Sequence, residues 1–358
     1  MDTIHKIFFK NSSDMSELES NSVELVITSP PYPMIEMWDS LFYNLNNEIK
    51  NALEKENGKK AFELMHKELD KVWNEMTRVL KLGGIACINI GDATRKLGNN
   101  FQLFPNHVKI TNFFQNNDFM ELPCILWRKP TNIPNKFLGS GMLPPNAYVT
   151  LEHEYILIFK KGNVKRKISP KLKNRYNSAF FWEERNKWFS DIWEDIRGIS
   201  QDIYEQNKNQ KNLRDRTAAF PLEIPYRLIN MFSIYEDTVL DPFWGTGTTS
   251  LAAMLSSRNS IGYEINSGFM ELFKRNLGKI KQLNIEINSN RLNQHIEFIK
   301  SYMKKNKLIK YFSTYYKFPV ITRQEIDLLL YSIKNYSENS NTFTINHDKF
   351  VFNKTDDY

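Results

Sequence analysis

Val239-Leu240-Asp241-Pro242-Phe243-Trp244-Gly245-Thr246-Gly247-Thr248-Thr249, followed by the small-residue run Ser250 to Leu255 and then Ser260-Ile261-Gly262-Tyr263-Glu264, decides the fold. The apolar residues up to Leu240 read as a short strand, and the glycine turn opens a helix. Ser260 to Glu264 reads as a second strand with an acid at its tip. Gly245 and Gly247 lack Cβ atoms, so a ligand can approach the backbone closely at the helix N-terminus. Glu264, at the end of the next strand, is placed to accept hydrogen bonds from ribose hydroxyls. These features predict an adenosine-type cofactor at the end of a parallel sheet.

Details of the turn select among such cofactors. No lysine follows Gly247, so the turn is not a phosphate-cradling loop of the GxxxxGK[ST] type. Ser250 stands where a nicotinamide fingerprint needs a third glycine. The Asp241 carboxylate would repel a pyrophosphate, whereas it suits a cofactor with a positively charged amino-acid end. S-adenosyl-L-methionine is the cofactor that fits this pattern.

Far upstream, Val23 to Ile27 is an apolar run that stops at Thr28-Ser29-Pro30-Pro31-Tyr32. Two prolines can neither donate to a sheet nor continue a helix, so a buried strand runs into a stiff loop. Loops at strand ends carry the active sites of α/β enzymes. An exocyclic base amine is a poor nucleophile because its lone pair is delocalised into the ring. The Ser29 hydroxyl and the Pro30 carbonyl can accept both amine hydrogens and localise that lone pair toward a methyl donor. Pro30 and Pro31 hold those acceptors in place, and Tyr32 offers an aromatic face to a base flipped out of a duplex. Direct attack on a sulfonium methyl, with the extra proton lost afterwards, would be accelerated mainly by positioning.

Between these loops the pattern is that of a parallel α/β sheet. Helical spacing runs from Phe62 to Leu80 and stops at Gly83-Gly84, which read as a helix C-cap. Ile85 to Ile90, Cys124 to Arg128 and Glu154 to Lys160 read as strands, with an irregular, functional loop over Pro130 to Asn146. Lys160 to Arg175 is rich in lysine and arginine, and Phe180-Phe181-Trp182, Trp188-Phe189 and Trp193 follow. Basic residues interleaved with aromatics suit phosphate contact and base stacking, and they equally suit a solvated loop beside an aromatic core. Lys165, Arg166, Lys167, Lys171, Lys173 and Arg175 are the candidate DNA contacts. Pro221 to Phe232 reads as a helix with proline near its start. Beyond about Leu277 the chain reads as helical, with Ile326, Leu328, Leu329 and Ile333 on one apolar face.

The chain has 358 residues, 41% hydrophobic, with a formal net charge of +7 and a pI of about 9.0. It is long enough for one large domain or a domain plus a lobe, and its charge suits a polyanionic partner. Cys87 and Cys124 lie in apolar runs with no CxxC or Cys/His grouping, which predicts buried reduced thiols, no metal site and a cytoplasmic protein. Cys124 has no cationic neighbour in sequence to make it a thiolate nucleophile. No signal-peptide core or membrane span is legible.

With these residues in hand, the chain resembles the DNA amino-methyltransferases of restriction-modification systems, in their permuted beta-type group. There an [S/D/N]PP[Y/F] loop comes first and a DPFxGxGTT loop comes late, as Ser29–Tyr32 and Asp241–Thr249 do here. Gly262-Tyr263-Glu264 is similar to the ribose-binding strand end. Phe220-Pro221-Leu222-Glu223-Ile224-Pro225 is similar to the helix that closes over the methionine end of the cofactor. Gly83-Gly84 through Gly91-Asp92 and Glu152-His153-Glu154-Tyr155 through Lys160-Lys161 are similar to the two sheet strands that lie between the two loops.

The resemblance implies a Rossmann-like, circularly permuted, mostly parallel sheet with an inserted target-recognition region. Residues 1–160 would form the catalytic half, 161–214 the recognition insert and 215–280 the cofactor half, with 281–358 a helical extension. Ser29, Pro30, Pro31 and Tyr32 would carry the chemistry. Thr28, Phe220, Pro221, Asp241, Pro242, Phe243, Gly245, Gly247, Thr248, Thr249 and Glu264 would bind the cofactor. SPPY is commoner among N4-cytosine enzymes, and the run through Asp39 is similar to theirs, so N4 of cytosine in double-stranded DNA is the expected target. N6 of adenine is its close variant; RNA or a protein glutamine is a more distant one, and a DNA-binding module without chemistry is disfavoured by two intact loops. A cognate restriction endonuclease would be a functional rather than a bound partner, and the enzyme a monomer or homodimer.

Overall fold

The computed structural model describes residues 1–129, 138–169, 172–197, 220–305 and 308–352. The first part of the Pro130 to Asn146 loop, Lys171 and the end of the expected recognition insert lie outside the described residues. The strands, in chain order, are β1 (Asp2–Phe8), β2 (Val23–Thr28), β3 (Leu80–Ile90), the hairpin β4 (Ala93–Leu97) and β5 (Asn100–Phe104), and β6 (Phe119–Arg128). Then come the small hairpin β7 (Leu138–Gly139) and β8 (Ala147–Tyr148), β9 (His153–Lys161), β10 (Ile192–Trp193), β11 (Thr238–Asp241) and β12 (Asn259–Tyr263). The last are the short pair β13 (Tyr311–Phe312) and β14 (Pro319–Val320), and β15 (Tyr331–Asn339) and β16 (Thr342–Lys349).

Ten strands form one sheet in the order β10-β6-β9-β3-β2-β11-β12-β1-β16-β15. The central five, β3, β2, β11, β12 and β1, run parallel. β9 lies antiparallel between β3 and β6. The late strand β11 is therefore the direct neighbour of the early strand β2, with Val239 opposite Leu25 and Leu240 opposite Val26. This adjacency brings the two sequence loops to one edge.

Every residue of β2 is buried, as a strand covered on both faces must be. Successive side chains point to opposite faces. Val26 packs with the helix Gly58–Val79 through Leu69, Val72, Trp73 and Met76. Leu25 and Ile27 pack with the helices Glu223–Phe232 and Thr248–Leu255 through Ile224, Leu228, Ala252 and Met254. These two cores are the layers of a doubly covered sheet.

Sequence expectations meet the structure at three places. The helix Gly58–Val79 passes straight into β3 at Leu80, so Gly83 and Gly84 are strand residues, not a helix cap. Gly83 has φ +75°, and a Cβ there would lie 2.5 Å from the Arg166 backbone nitrogen, because residues 165–166 cross the strand at that point.

Residues 161–214, where they are described, pack against the rest of the chain. β10 joins the main sheet beside β6. Phe181 stacks on His295 at 4.1 Å, and Arg291 pairs with Glu184. Phe181, Trp188 and Trp193 are buried core residues, so of the two readings of the aromatics the core prevails for these three.

The C-terminal extension is helical only at first, over Ile280–Met303. Leu328, Leu329 and Leu330 are buried in irregular chain leading into β15, and β16 pairs antiparallel with β1. The alternate burial of Phe343, Ile345 and His347 is a strand's period of two. The hairpin covers an edge that would otherwise expose unpaired backbone groups.

Candidate active site

The carboxyl ends of β2, β11 and β12 open on a cavity of about 470 Å³. Ser29, Pro30 and Pro31 line it from β2; Asp241, Pro242, Phe243, Gly245, Thr246 and Thr248 line it from β11; Glu264 follows β12, and Phe220 closes one side. Thr28, Gly247 and Thr249 stand behind this lining and hold it, and Pro221 is buried next to Phe220. The residues predicted for cofactor and chemistry are thus brought together, except that Tyr32 lies behind the lining as part of the buried core.

Asp241 is the junction. Its carboxylate accepts from Thr28 Oγ1 at 2.7 Å, Thr249 Oγ1 at 2.6 Å and the Phe243 backbone N–H at 3.1 Å. Burial outweighs these donors and pushes the acid up to about 6, with Glu264 adding repulsion. Glu264 accepts from the backbone N–H of Gly245 at 2.9 Å and of Asn266 at 2.8 Å, and burial raises it as well. Gly245 and Gly247 have φ of +52° and +79°, values that favour glycine. A Cβ on Gly247 would sit 2.4 Å from Phe273, and one on Gly262 would sit 2.2 Å from Trp244. Trp244 is pinned by a 2.9 Å hydrogen bond to Ser250 Oγ, which accounts for the serine in place of a third glycine.

A carboxylate whose acid is raised by burial is well placed for an ammonium, which would favour its charged form. Glu264 at the next strand end suits a ribose. Room, acids and bare backbone fit S-adenosylmethionine, whose chemistry when bound is to present an electrophilic methyl group on a sulfonium.

Behind the proline loop lies a polar network. Tyr32 is 9% exposed, and its hydroxyl donates to Glu154 Oε2 at 2.9 Å. Asn89 Nδ2 donates both to the Tyr32 oxygen at 2.8 Å and to Glu154 Oε2 at 2.7 Å. Lys129 donates to the other Glu154 oxygen. Ser29 Oγ lies 3.1 Å from the Tyr32 oxygen. Since Tyr32 spends its one proton on Glu154, Ser29 is the donor in that contact. Its lone pairs are then left to accept from the cavity, as the amine chemistry requires. Burial and the Glu154 charge hold the Tyr32 phenol well above its ordinary range, so it stays protonated.

Sequence reasoning does not single out Asn89, Lys129 or Glu154 as functional, nor the turn Lys10–Ser13 that lines the cavity after β1. The rule that active sites gather at strand C-termini hides Glu154: β9 is antiparallel, so its first residues reach the site. An acid at the start of an apolar strand is the available signal. Cys87 and Cys124 take no part; burial raises both thiols away from reactivity.

The candidate DNA contacts are placed away from the cavity. Arg166 is engaged by both oxygens of Asp237, just before β11, and residues 165–166 abut Gly83 at the start of β3. Asn174, between Lys173 and Arg175, donates to Glu236. This segment, including exposed Lys165, Lys167, Lys173 and Arg175, sits at the amino ends of the strands. At ~3.3 Å per residue, the seven steps from Gly83 to Ile90 put it roughly 20 Å from the catalytic end.

Adjacent parallel strands, one ending in an acid-anchored glycine turn and the other in a stiffened acceptor loop, define an S-adenosylmethionine-dependent methyltransferase directed at an amine. The chain belongs to the N6/N4 DNA methylase family, which it matches over residues 23–275. It is 54% identical over 343 residues to the type II methyltransferase M.MthZI of Methanothermobacter thermautotrophicus, covering 95% of this chain and 94% of that protein. It is 53% identical over 308 residues to M.MjaI of Methanocaldococcus jannaschii, covering 83% and 97%. Among solved structures, TTHA0409 of Thermus thermophilus, complexed with S-adenosyl-L-methionine, superposes with a TM-score of 0.59 at 29% identity, covering 77% of this chain and 94% of that one. The fold is shared with the cytosine-N4-specific PvuII DNA methyltransferase, TM-score 0.51 at 18% identity, over 76% of this chain and 86% of that one. The protein is a DNA amino-methyltransferase that uses S-adenosylmethionine. Among the described residues no helix is long and apolar enough to cross a membrane.

Proposed function

We propose that this enzyme methylates N4 of cytosine at a specific site in duplex DNA, by base flipping and direct transfer, as the modification arm of a restriction-modification system. The carrying observation is Ser29: a neutral hydroxyl heads the proline loop, lines the cavity and has its own proton directed away from it. Serine in this position is the feature that the resemblance associates with cytosine. The similarity to type II methyltransferases supports the restriction-modification role.

In this reading Ser29 Oγ and the Pro30 carbonyl accept the amine hydrogens, and Pro31 keeps the loop rigid. Tyr32, buried behind the loop with its hydroxyl tethered, backs the acceptors from the core side. The duplex lies across the carboxyl end of the sheet. There the β4–β5 hairpin, carrying exposed Lys96, is joined to residues 138–152 by parallel stacking of Phe101 on Tyr148 at 5.0 Å. Met142 and Val149, 80% and 87% exposed, supply apolar tips of the kind that enter a disturbed base stack.

Methylating duplex DNA with the purified enzyme and resolving the nucleosides by mass spectrometry tests the reading. N4-methylcytosine is expected. N6-methyladenine would replace cytosine by adenine, and methylation of RNA or protein alone would overturn the DNA assignment.

A further inference from the structure

The network behind Ser29 is polarised in one direction, from the cavity to a charged terminus. Ser29 O–H points to the Tyr32 oxygen, Tyr32 O–H points to Glu154 Oε2, and Glu154 accepts from the Lys129 ammonium and the Asn89 amide. Such an aligned chain of hydroxyls ending on a carboxylate is able to carry a proton without any hydroxyl becoming charged. Asn89 accounts for the alignment: its two donations occupy one lone pair of the Tyr32 oxygen and fix the carboxylate oxygen beyond it.

We propose that Ser29, Tyr32 and Glu154 form the proton exit of the methyl transfer, with Glu154 as the positioning residue that receives the proton. As the amine nitrogen forms its bond to the methyl carbon, the carbon–sulfur bond breaks and its electron pair stays on sulfur, leaving a neutral thioether. The methylated amine is then cationic and strongly acidic. Its surplus proton passes to Ser29 Oγ, the Ser29 proton to the Tyr32 oxygen, and the Tyr32 proton to Glu154 Oε2. Glu154, partly exposed beside the half-exposed Lys129, returns it to solvent. Before any proton moves, the negative charge at the end of the chain already favours positive charge growing on the amine. The assignment applies to cytosine N4 and adenine N6 alike, so a change of target base leaves it standing.

Glu154→Gln keeps the shape of the terminus and removes its charge; Tyr32→Phe keeps the ring and cuts the chain. Each is expected to slow single-turnover methyl transfer by about 100-fold, the usual size of a lost general-base contribution, and the double variant by no more than the worse single. In the same variants, cofactor affinity by calorimetry and target-base extrusion, read from 2-aminopurine fluorescence in cofactor-free enzyme, should stay within about twofold, since neither depends on the proton path. A Glu154→Gln enzyme turning over at the parent rate would overturn the proposal. So would multiplicative effects in the double variant, or a rate loss matched by lost cofactor affinity or lost extrusion, which would mark Glu154 as a support for the loop alone.

Discussion

Thr28 Oγ1 donates a 2.7 Å hydrogen bond to Asp241 Oδ1 across 213 residues of chain, joining the last residue of the catalytic strand to the acid of the cofactor turn. The two loops are therefore one hydrogen-bonded unit. Asp241 is buried and pushed up to about 6, so this joint is also where the site responds to pH.

A cation held against Asp241 lowers its proton affinity, so cofactor binding expels a proton wherever the free acid is protonated. Affinity should climb as pH rises from about 5 to about 7 and level off above, by linkage. Calorimetry in buffers of different ionisation heat reads both the slope and the proton released. Asp241→Asn should flatten the profile and weaken binding by about 10- to 100-fold, the loss of a charged hydrogen bond. A profile in the parent that is flat over this range would show that Asp241 does not meet the cofactor cation.

Acid should loosen the edge of the sheet. His5 in β1 is held down to about 3 by burial and by His347, and His347 in β16 to about 4 by burial and the N-terminal amine. Both ring Nε2 atoms lie 2.9 Å from Thr3 Oγ1. The unfolded chain binds protons there below pH ~6.5 while the folded chain does not, so stability falls as pH drops from about 6.5 toward 4, by about 1 kcal/mol per imidazole or more. Asp241 opposes this in part, since its raised acid makes the fold bind a proton over the same range. Thermal melts from pH 7 to pH 5 should shift downward, and His347→Gln should reduce the shift; an unchanged shift in that variant would locate the acid sensitivity elsewhere.

Salt-dependent binding should separate the two basic surfaces. Lys165→Ala, Lys173→Ala and Arg175→Ala, at the amino end of the sheet, should leave DNA affinity and its salt slope unchanged. Lys96→Ala, on the β4–β5 hairpin, should weaken binding and lower the slope by about 1, the release of one counterion. Equal losses at both ends would restore the basic segment as a DNA contact. Arg166→Ala should instead cost about 2 kcal/mol of stability, because it strips the buried Asp237 of its charged donors.

Gly262→Ala should act through Trp244 rather than through the ligand. The new methyl would stand 2.2 Å from the indole, which is locked by Ser250, so the cofactor turn must shift. We expect a loss of about 1–3 kcal/mol in denaturant unfolding, as for other overpacked sites, together with weaker cofactor binding. Normal stability and affinity would mean that the turn yields at little cost.

Both loops are legible because they are local: a glycine turn between two strands and a proline pair after a third carry their geometry within a few residues. The helix Gly58–Val79 follows from its spacing, while its boundary does not, because Gly83 serves a crossing chain and not a helix end. The segment leading into the C-terminal hairpin reads as helix because Ile326, Leu328, Leu329 and Ile333 happen to suit a helical face. Leu328 to Leu330 are in fact buried outside any helix. Charge density at Lys165 to Arg175 points to DNA, yet charge says nothing about which end of a sheet a loop occupies.

The sequence by itself carried a cofactor turn with its two acids, a stiff proline loop after a strand, and the rhythm of a parallel α/β sheet; the permuted order came from the family resemblance. The turn, the loop and the rhythm follow from short-range rules of φ, hydrogen-bond capacity and periodicity. Only the tertiary structure decided that β11 lies against β2, that Thr28 clamps Asp241, and that the antiparallel β9 delivers Glu154 behind Tyr32. Strand order and direction arise from packing between segments far apart in the chain, which leaves no local trace in the residues they bring together.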